Sequence, residues 1–269
     1  MTLRIAIDHR LETARLAYPF AAGWADQTDV DLVPGMTSTR ASDADVVLID
    51  SISGLTMLDS WAIVADYAVA ARRASMLTLA THTRPDDVNN VSVSVTGVAP
   101  AGRAVALATL RSFYGISVAE WTEEPAHVDD LHAIVSDGPS GLIPLEGDHI
   151  YQEDLGRAWF LMTNTPFVSH LCLARRAHLT RDPASVSAAL NRLARAMEIG
   201  VERGRELRRN LSRDHGIDRD LLVEVLADQE WTLSPEGIEG LTQLARVSNL
   251  STANIQRSVV RIGAPEKDQ

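Results

Sequence analysis

The stretch DLGRAWFLMTNTPFVSHLCLARR, residues 154–176, decides the fold of this chain. In it a short turn at 164–167 leads directly into an apolar strand that ends at Arg175 and Arg176. This pattern is typical of a chain that returns from one lobe of a two-lobed domain to the other. A break in the apolar pattern at 81–90 marks the outward crossing, so the sequence predicts two lobes joined by two crossings.

The rest of the chain alternates strands and helices, which indicates an α/β fold with a largely parallel sheet. Apolar runs predict strands at 3–8, 29–35, 45–53, 61–70, 75–81, 91–95, 131–136 and 167–174. Helical spacing predicts helices at 12–25 and 103–114, then a C-terminal helical segment that starts at 182 and includes 218–228 and 235–248. We expect lobe one to hold 1–80 and 168–269, and lobe two to hold 81–167.

Composition removes several classes of function. The 269 residues carry a formal net charge of −11, which disfavours binding to nucleic acid. No apolar run reaches the roughly 20 residues that span a bilayer, and the N-terminus reads as a strand, so we expect a cytoplasmic protein with no membrane partner. The single cysteine, Cys172, excludes an internal disulfide and reads as a core residue. The one lysine, Lys267, lies in the tail, so Schiff-base chemistry has no candidate.

The sequence predicts no metal site. Its eight histidines are scattered, and the closest pair, His127 and His132, has a spacing that puts the two on different helix faces. The arginine-rich segment 192–213 is interspersed with glutamates, so it favours a solvated helix face or a dimer contact, which leaves a homodimer open.

Polar residues at predicted strand and helix ends are the candidates for ligand binding. Ser51 follows the strand that begins at 45, where open α/β sheets present ligands. Gly102 precedes a predicted helix start and could offer its backbone N–H to a carboxylate, with Arg103 pairing with the same anion. The glycine-containing turns at 97–102 and 137–141 can equally be plain turns. Glu12 is either a helix-start carboxylate favoured by the macrodipole or a functional group.

Several short segments resemble one family across nearly the whole chain. They are Arg10 to Leu16, DVVLIDS at 45–51, Ala74 to Leu77, Ser136-Asp137-Gly138, and the string Asp154-Leu155-Gly156, Trp159 and Thr163 to Phe167. Together they resemble the chorismate dehydratase family of menaquinone biosynthesis. That family shares the fold of type II periplasmic binding proteins, so the resemblance implies a two-lobed α/β fold with a ligand cleft between the lobes.

The resemblance implies a lyase that removes water from chorismate, or from a related small carboxylated compound, without metal or organic cofactor. Glu12 or the substrate's own carboxylate would remove a proton next to an electron-withdrawing group. Ser75 would hydrogen-bond the leaving hydroxyl or the developing enolate. The substrate-binding residues implied are Ser51, Gly102, Arg103, Asp137, Gly138, Asn164 and Thr165.

Two positions depart from the family pattern. Its asparagine falls on Glu12, and its serine- and threonine-rich carboxylate loop falls on 101–104. An ionised Glu12 within about 4 Å of an anionic substrate would repel it by roughly 1–4 kcal/mol. Two alternatives therefore stay open: a binding protein of the same fold without chemistry, and a lyase of a secondary pathway with a different substrate.

Overall fold

The computed structural model describes residues 3–123, 133–145 and 150–262. The histidine pair His127 and His132 lies outside these ranges. Within the described ranges, helices and strands alternate and the strands form two separate mixed sheets. The chain therefore has the predicted α/β fold, whereas the prediction of a largely parallel sheet was wrong.

The first sheet has six strands in the order β11-β4-β10-β3-β1-β2. Their bounds are β1 Ile5–Asp8, β2 Val30–Val33, β3 Val46–Asp50, β4 Trp61–Ala71, β10 Phe167–Arg175 and β11 Val259–Val260. β1 runs parallel to β2 and β3, but β10 runs antiparallel to both of its neighbours. The reason is the connection: β10 arrives from the second sheet, so it begins at the edge of the sheet where β1 and β3 end.

The second sheet has five strands in the order β7-β6-β8-β5-β9. Their bounds are β5 Thr78–Thr81, β6 Val91–Ser94, β7 Val118–Thr122, β8 Ala133–Ser136 and β9 Tyr151–Asp154. β5 runs antiparallel to β8 and β9, while β6 is parallel to β7 and β8. The chain thus passes from the first sheet to the second between β4 and β5, and returns between β9 and β10.

Helices cover the sheets and connect them. Their bounds are α1 Ala14–Ala21, α2 Ser51–Leu55, α3 Pro100–Ser112, α4 Pro139–Leu142, α5 Leu155–Thr163, α6 Arg176–Arg181, α7 Pro183–Glu202, α8 Gly204–His215, α9 Arg219–Asp228, α10 Pro235–Val247 and α11 Ile255–Ser258. Asp182 caps α7 and Ser234 caps α10 through side-chain hydrogen bonds to backbone N–H groups, as their sequences indicate. None of the helices in the described ranges is both long and apolar enough to cross a membrane.

The return crossing follows from local sequence. Asp154 caps α5 by accepting from the Arg157 N–H at 2.8 Å. Asn164 ends that helix in the left-handed conformation, with a φ of 55°, which asparagine tolerates better than most residues. The apolar run after Pro166 then forms β10, where Cys172 is fully buried as predicted.

The C-terminal helices reach back to the junction of the two sheets. Apolar residues of α8 and α9 form one cluster with Leu11, Ala74 and Met76. After α9 the chain runs along β4, where Glu230 and Ala70 exchange backbone hydrogen bonds of 2.8 and 3.0 Å. The Asp228 carboxylate accepts from the backbone N–H groups of residues 72, 73 and 74. The helical segment therefore holds the outward crossing in place.

Candidate functional site

A cavity of about 520 Å³ opens between the loops of the two sheets. The loop after β1 forms one wall, the turns after β6 and β8 form the opposite wall, and the end of α8 closes a third side. Its polar lining comes from His9, Arg10, Glu12, Asp137, Asp214 and His215. Tyr18, Leu11 and Leu211 supply apolar surface. This volume lies in the range of small-molecule sites.

A much smaller cavity, of about 20 Å³, adjoins the first. Glu12 and Asp137 line both cavities, so their carboxyls form part of the wall between them. Ser75 and Gln229 line the small cavity, together with apolar residues of β4, α9 and the crossing segment, residues 72–77 between β4 and β5. The structure therefore brings two of the predicted substrate-contacting residues, Glu12 and Ser75, to one place.

Glu12 sits in a turn that the sequence of 8–13 makes rigid. The Thr13 hydroxyl, fully buried, donates to the carbonyl of Asp8 at 2.6 Å and so fixes the path of the chain between β1 and α1. The Glu12 side chain is consequently turned inward, and only 7% of the residue is exposed. Burial, with the adjacent Asp137 carboxyl as the next cause, raises the pKa of Glu12 well above its usual value, and Arg10 only partly opposes this. The protonated form of Glu12 is therefore favoured relative to that of an exposed glutamate.

Arg10 is the cation of the site. Its guanidinium lies 3.3 Å from Asp137 Oδ2 and 3.7 Å from Asp8 Oδ2, and it donates to the carbonyl of Gly97. It thereby joins the loop after β1 to two turns of the second sheet. Arg10 lines the large cavity and keeps part of its surface open to it.

Asp8 and His170 form a buried polar pair next to Arg10. Asp8 Oδ2 lies 3.5 Å from His170 Nε2, and Asp8 also accepts from the backbone N–H of Met36. Burial alone would raise the pKa of Asp8, but His170, the Met36 amide and Arg10 together lower it below its usual value. Asp8 is therefore ionised at neutral pH and holds the guanidinium of Arg10 by charge.

The N-terminus of α3 is already occupied by carboxylates of the protein. Asp137 Oδ2 accepts from the Ala99 N–H at 3.0 Å, and Asp50 Oδ2 accepts from the Ala101 N–H at 2.9 Å. Acceptors at this position satisfy free N–H groups and interact favourably with the helix dipole. The same contacts tie α3 to the ends of β3 and β8.

In this arrangement Gly102 and Arg103, both expected to bind an anion, lie against groups of the protein. A Cβ atom on Gly102 would lie 3.2 Å from Asp137 Oδ2, so the space beside this residue holds a protein carboxylate. The Arg103 guanidinium forms an ion pair with Glu123 and donates to the Val98 carbonyl at 3.1 Å. Its charge is therefore paired with a carboxylate of the protein.

Three further residues that were expected to bind the ligand make contacts within the protein. The buried Ser51 hydroxyl donates to the carbonyl of Val168 at 2.7 Å, which ties the start of α2 to β10. Asn164 is the exposed C-cap of α5. The Thr165 hydroxyl lies 2.9 Å from that of Thr163 and packs close to Gly240 of α10. These contacts explain the side chains without a ligand.

Asp137 and Gly138 lie where a ligand in the large cavity would contact them. Gly138 has a φ of +60°, a conformation that favours glycine, and this turn brings Asp137 against Arg10 and the start of α3. Ser75 also lies at the site, but its hydroxyl donates to Asp154 Oδ1 at 2.7 Å and its N–H to Asp154 Oδ2 at 2.6 Å. The Ser75 hydroxyl therefore fixes the crossing and has no donor left for a substrate.

Sequence reasoning missed Arg10, Asp8, His170 and Gln229. Asp8 and Arg10 follow β1 directly, so their place at a strand's carboxyl end was a usable signal. His170 interrupts an otherwise apolar strand, a weaker signal. Gln229 has no such signal in the sequence, because its position depends on how α9 packs against the rest of the chain. Among the described residues, no group of three or more histidine, cysteine or acidic side chains is arranged to hold a metal ion.

Solved structures show the same fold. Protein AF1704 from Archaeoglobus fulgidus superposes with a TM-score of 0.69 at 14% identity, covering 92% of this chain and 97% of its own. The periplasmic aliphatic sulphonate binding protein SsuA from Escherichia coli gives 0.69 at 12% identity, covering 100% and 94%. The Candida albicans CA3427 product, which has the generic periplasmic binding protein fold, gives 0.59 at 14% identity, covering 97% and 96%. The chain has this two-lobed α/β fold.

The sequence itself identifies the family. It matches the menaquinone biosynthesis family over residues 36–249. The chain therefore belongs to the menaquinone biosynthesis family. No curated protein matches it individually.

Proposed function

We propose that this protein is a lyase that removes water from chorismate, or from a closely related small carboxylated ring compound, without a cofactor. Membership of the family supports a role in menaquinone biosynthesis but leaves the reaction open. The observation that carries the proposal is the Glu12 carboxyl, which lines a cavity of substrate size and has a raised pKa. A buried carboxyl with a raised pKa is suited to general acid catalysis.

The reaction needs one proton donor and one proton acceptor. Glu12 protonates the hydroxyl as its bond to carbon breaks, and water leaves. A base removes the hydrogen from the neighbouring carbon, and that electron pair forms the new double bond. The raised pKa of Glu12 favours its role as the acid, so the substrate's own carboxylate is the better candidate for the base. The acid is regenerated when Glu12 regains a proton from solvent.

The charges of the site favour an anionic substrate only if Glu12 is neutral. Asp137 is within reach of Arg10, and Asp214 lines the same cavity, so an ionised Glu12 would make the walls strongly negative. A neutral Glu12 removes its share of the repulsion and leaves Arg10 as the nearest cation for a substrate carboxylate. The same proton thus supports both binding and chemistry.

The test is an incubation of the purified protein with chorismate at neutral pH. Dehydration makes the ring aromatic, so the diene absorbance falls and an enolpyruvyl-oxybenzoate forms, which mass spectrometry identifies. We expect this conversion with the wild-type chain and a strong loss of it with Glu12→Gln. Unchanged chorismate after prolonged incubation with folded protein would refute the lyase proposal for this substrate.

A second candidate is a binding protein that performs no chemistry. It is favoured by the similarity in fold to sulphonate-binding proteins of transport systems. Thermal stabilisation by chorismate or by an organic sulphonate, with no change in ligand absorbance, would support this candidate over the lyase.

A further inference from the structure

We propose that the small cavity behind Glu12 binds one water molecule between Glu12 Oε2 and Gln229 Oε1, and that Gln229 is thereby a positioning residue for Glu12. The water site is inferred from geometry alone. Its consequence for turnover rests on the proposed function, in which Glu12 acts as the acid.

Two buried acceptors point to this site. Glu12 Oε2 and Gln229 Oε1 are both buried and have no hydrogen-bond partner among the described residues. Both residues line the cavity of about 20 Å³, which is room for one water molecule. A buried acceptor without a partner is destabilising, so two of them beside one small cavity point to a shared donor.

Gln229 cannot turn its oxygen elsewhere. Its Nε2 donates to the backbone carbonyl of Glu12 at 2.9 Å, which directs Oε1 to the other side of the amide. The residues on either side are also fixed, since Asp228 holds the crossing segment and Glu230 pairs with Ala70 of β4. The amide is therefore clamped at its backbone and at its nitrogen.

The rest of the wall identifies the ligand's chemistry. It is mostly apolar, with side chains from β4, α9, the start of β10 and the segment 74–77. Ser75 is engaged by Asp154, and Ser169 donates to the carbonyl of Val69. The charged groups that act on Glu12 are Asp137 and Arg10. A small neutral molecule with two hydrogens, one for each acceptor, satisfies the site, and water is that molecule.

A water bound in this way selects the oxygen that carries the acidic hydrogen of Glu12. When Glu12 carries a proton and Oε2 accepts from the water, that hydrogen resides on Oε1. Gln229 thus controls the direction in which Glu12 donates its proton, without contact with the substrate. The water also hydrogen-bonds the ionised form after proton transfer, which limits the rise in the pKa of Glu12 that burial causes.

The test uses Gln229→Leu, which retains side-chain bulk but removes the amide. Gln243→Leu, at a half-buried position of α10 away from both cavities, is the matched control. A high-resolution crystal structure of the full chain shows whether solvent lies between Glu12 and Gln229. NMR titration of ¹³C-labelled glutamate carboxyls, with Glu12 assigned through Glu12→Gln, measures its pKa without any substrate. We expect ordered water in the wild type, none in Gln229→Leu, and a higher pKa of Glu12 in that variant only.

Turnover gives a separate readout. We expect Gln229→Leu to lower kcat about tenfold with little change in KM, since one hydrogen bond to the charged form is lost. An empty cavity, a direct Glu12–Gln229 hydrogen bond, or an unchanged titration of Glu12 in folded Gln229→Leu would overturn the inference. If the water and the pKa change are found but chorismate is not converted, the proposed function fails and the water site stands.

Discussion

The carboxyls of Glu12 and Asp137 lie against each other across the seam between the two sheets, in the wall shared by two cavities. One comes from the loop after β1 and the other from the end of β8, so any relative movement of the sheets changes their separation. Asp137 is held by Arg10 and the Ala99 N–H, while the Glu12 carboxyl is buried beside it. This burial beside a second carboxyl raises the pKa of Glu12.

We predict that Glu12→Gln lowers turnover of chorismate by about a hundredfold or more, the usual contribution of a general acid. Glutamine has nearly the same shape and no proton to transfer, so the fold is retained. Steady-state kinetics and circular dichroism measure the two effects. Glu239→Gln, at an exposed position of α10, is the control and keeps full activity. Wild-type rates in Glu12→Gln would remove Glu12 from the mechanism.

The raised pKa of Glu12 also predicts how stability varies with pH. The folded state binds the Glu12 proton more tightly than the unfolded state, so this contribution is complete below the unfolded pKa. It is lost as pH rises through the folded pKa. We therefore expect Glu12→Gln to gain in Tm relative to wild type as the pH rises above about 5. A constant difference in Tm across that range would show that Glu12 is not buried in its neutral form.

Much of the fold could be predicted because the strands are short apolar runs and several helices carry their own caps. Asp182 and Ser234 mark helix starts in the sequence and do so in the structure. Sheet direction could not be predicted in this way. An apolar run such as 167–174 reads the same in both directions, and only the connection from α5 makes β10 antiparallel.

The candidate site was predicted less well, for a physical reason. Glu12 and Ser75 were found through similarity in local sequence, which carries across when the backbone is shared. Arg103 was expected to bind an anion because it follows a helix start, but sequence does not show that Asp50 and Asp137 reach that helix first. Competition between protein groups for one helix terminus is settled only by tertiary packing.

We predict that replacing Arg10 and replacing Arg103 have opposite outcomes. Arg10→Gln removes the cation between Asp8 and Asp137, so it weakens substrate binding at least tenfold and raises the pKa of Glu12 further. Arg103→Gln breaks a largely exposed pair with Glu123 and leaves kcat and KM within about twofold. Binding calorimetry and kinetics on both variants decide the matter. Equal losses of substrate affinity in the two variants would identify Arg103 as an anion ligand.

We predict that Gly141→Ala destabilises the protein by about 1–3 kcal/mol and weakens ligand binding. A Cβ atom at Gly141 would lie 2.1 Å from the backbone oxygen of Met76, so α4 must move away from the crossing segment. That movement carries Asp137 and Gly138 with it, since they directly precede α4. Gly204→Ala, which meets only the flexible end of Arg208 at 3.2 Å, is the matched control and leaves both properties intact. Urea unfolding and calorimetric titration with chorismate measure the two effects. If Gly141→Ala unfolds like wild type and binds as tightly, the close packing between α4 and the crossing does not set the position of Asp137.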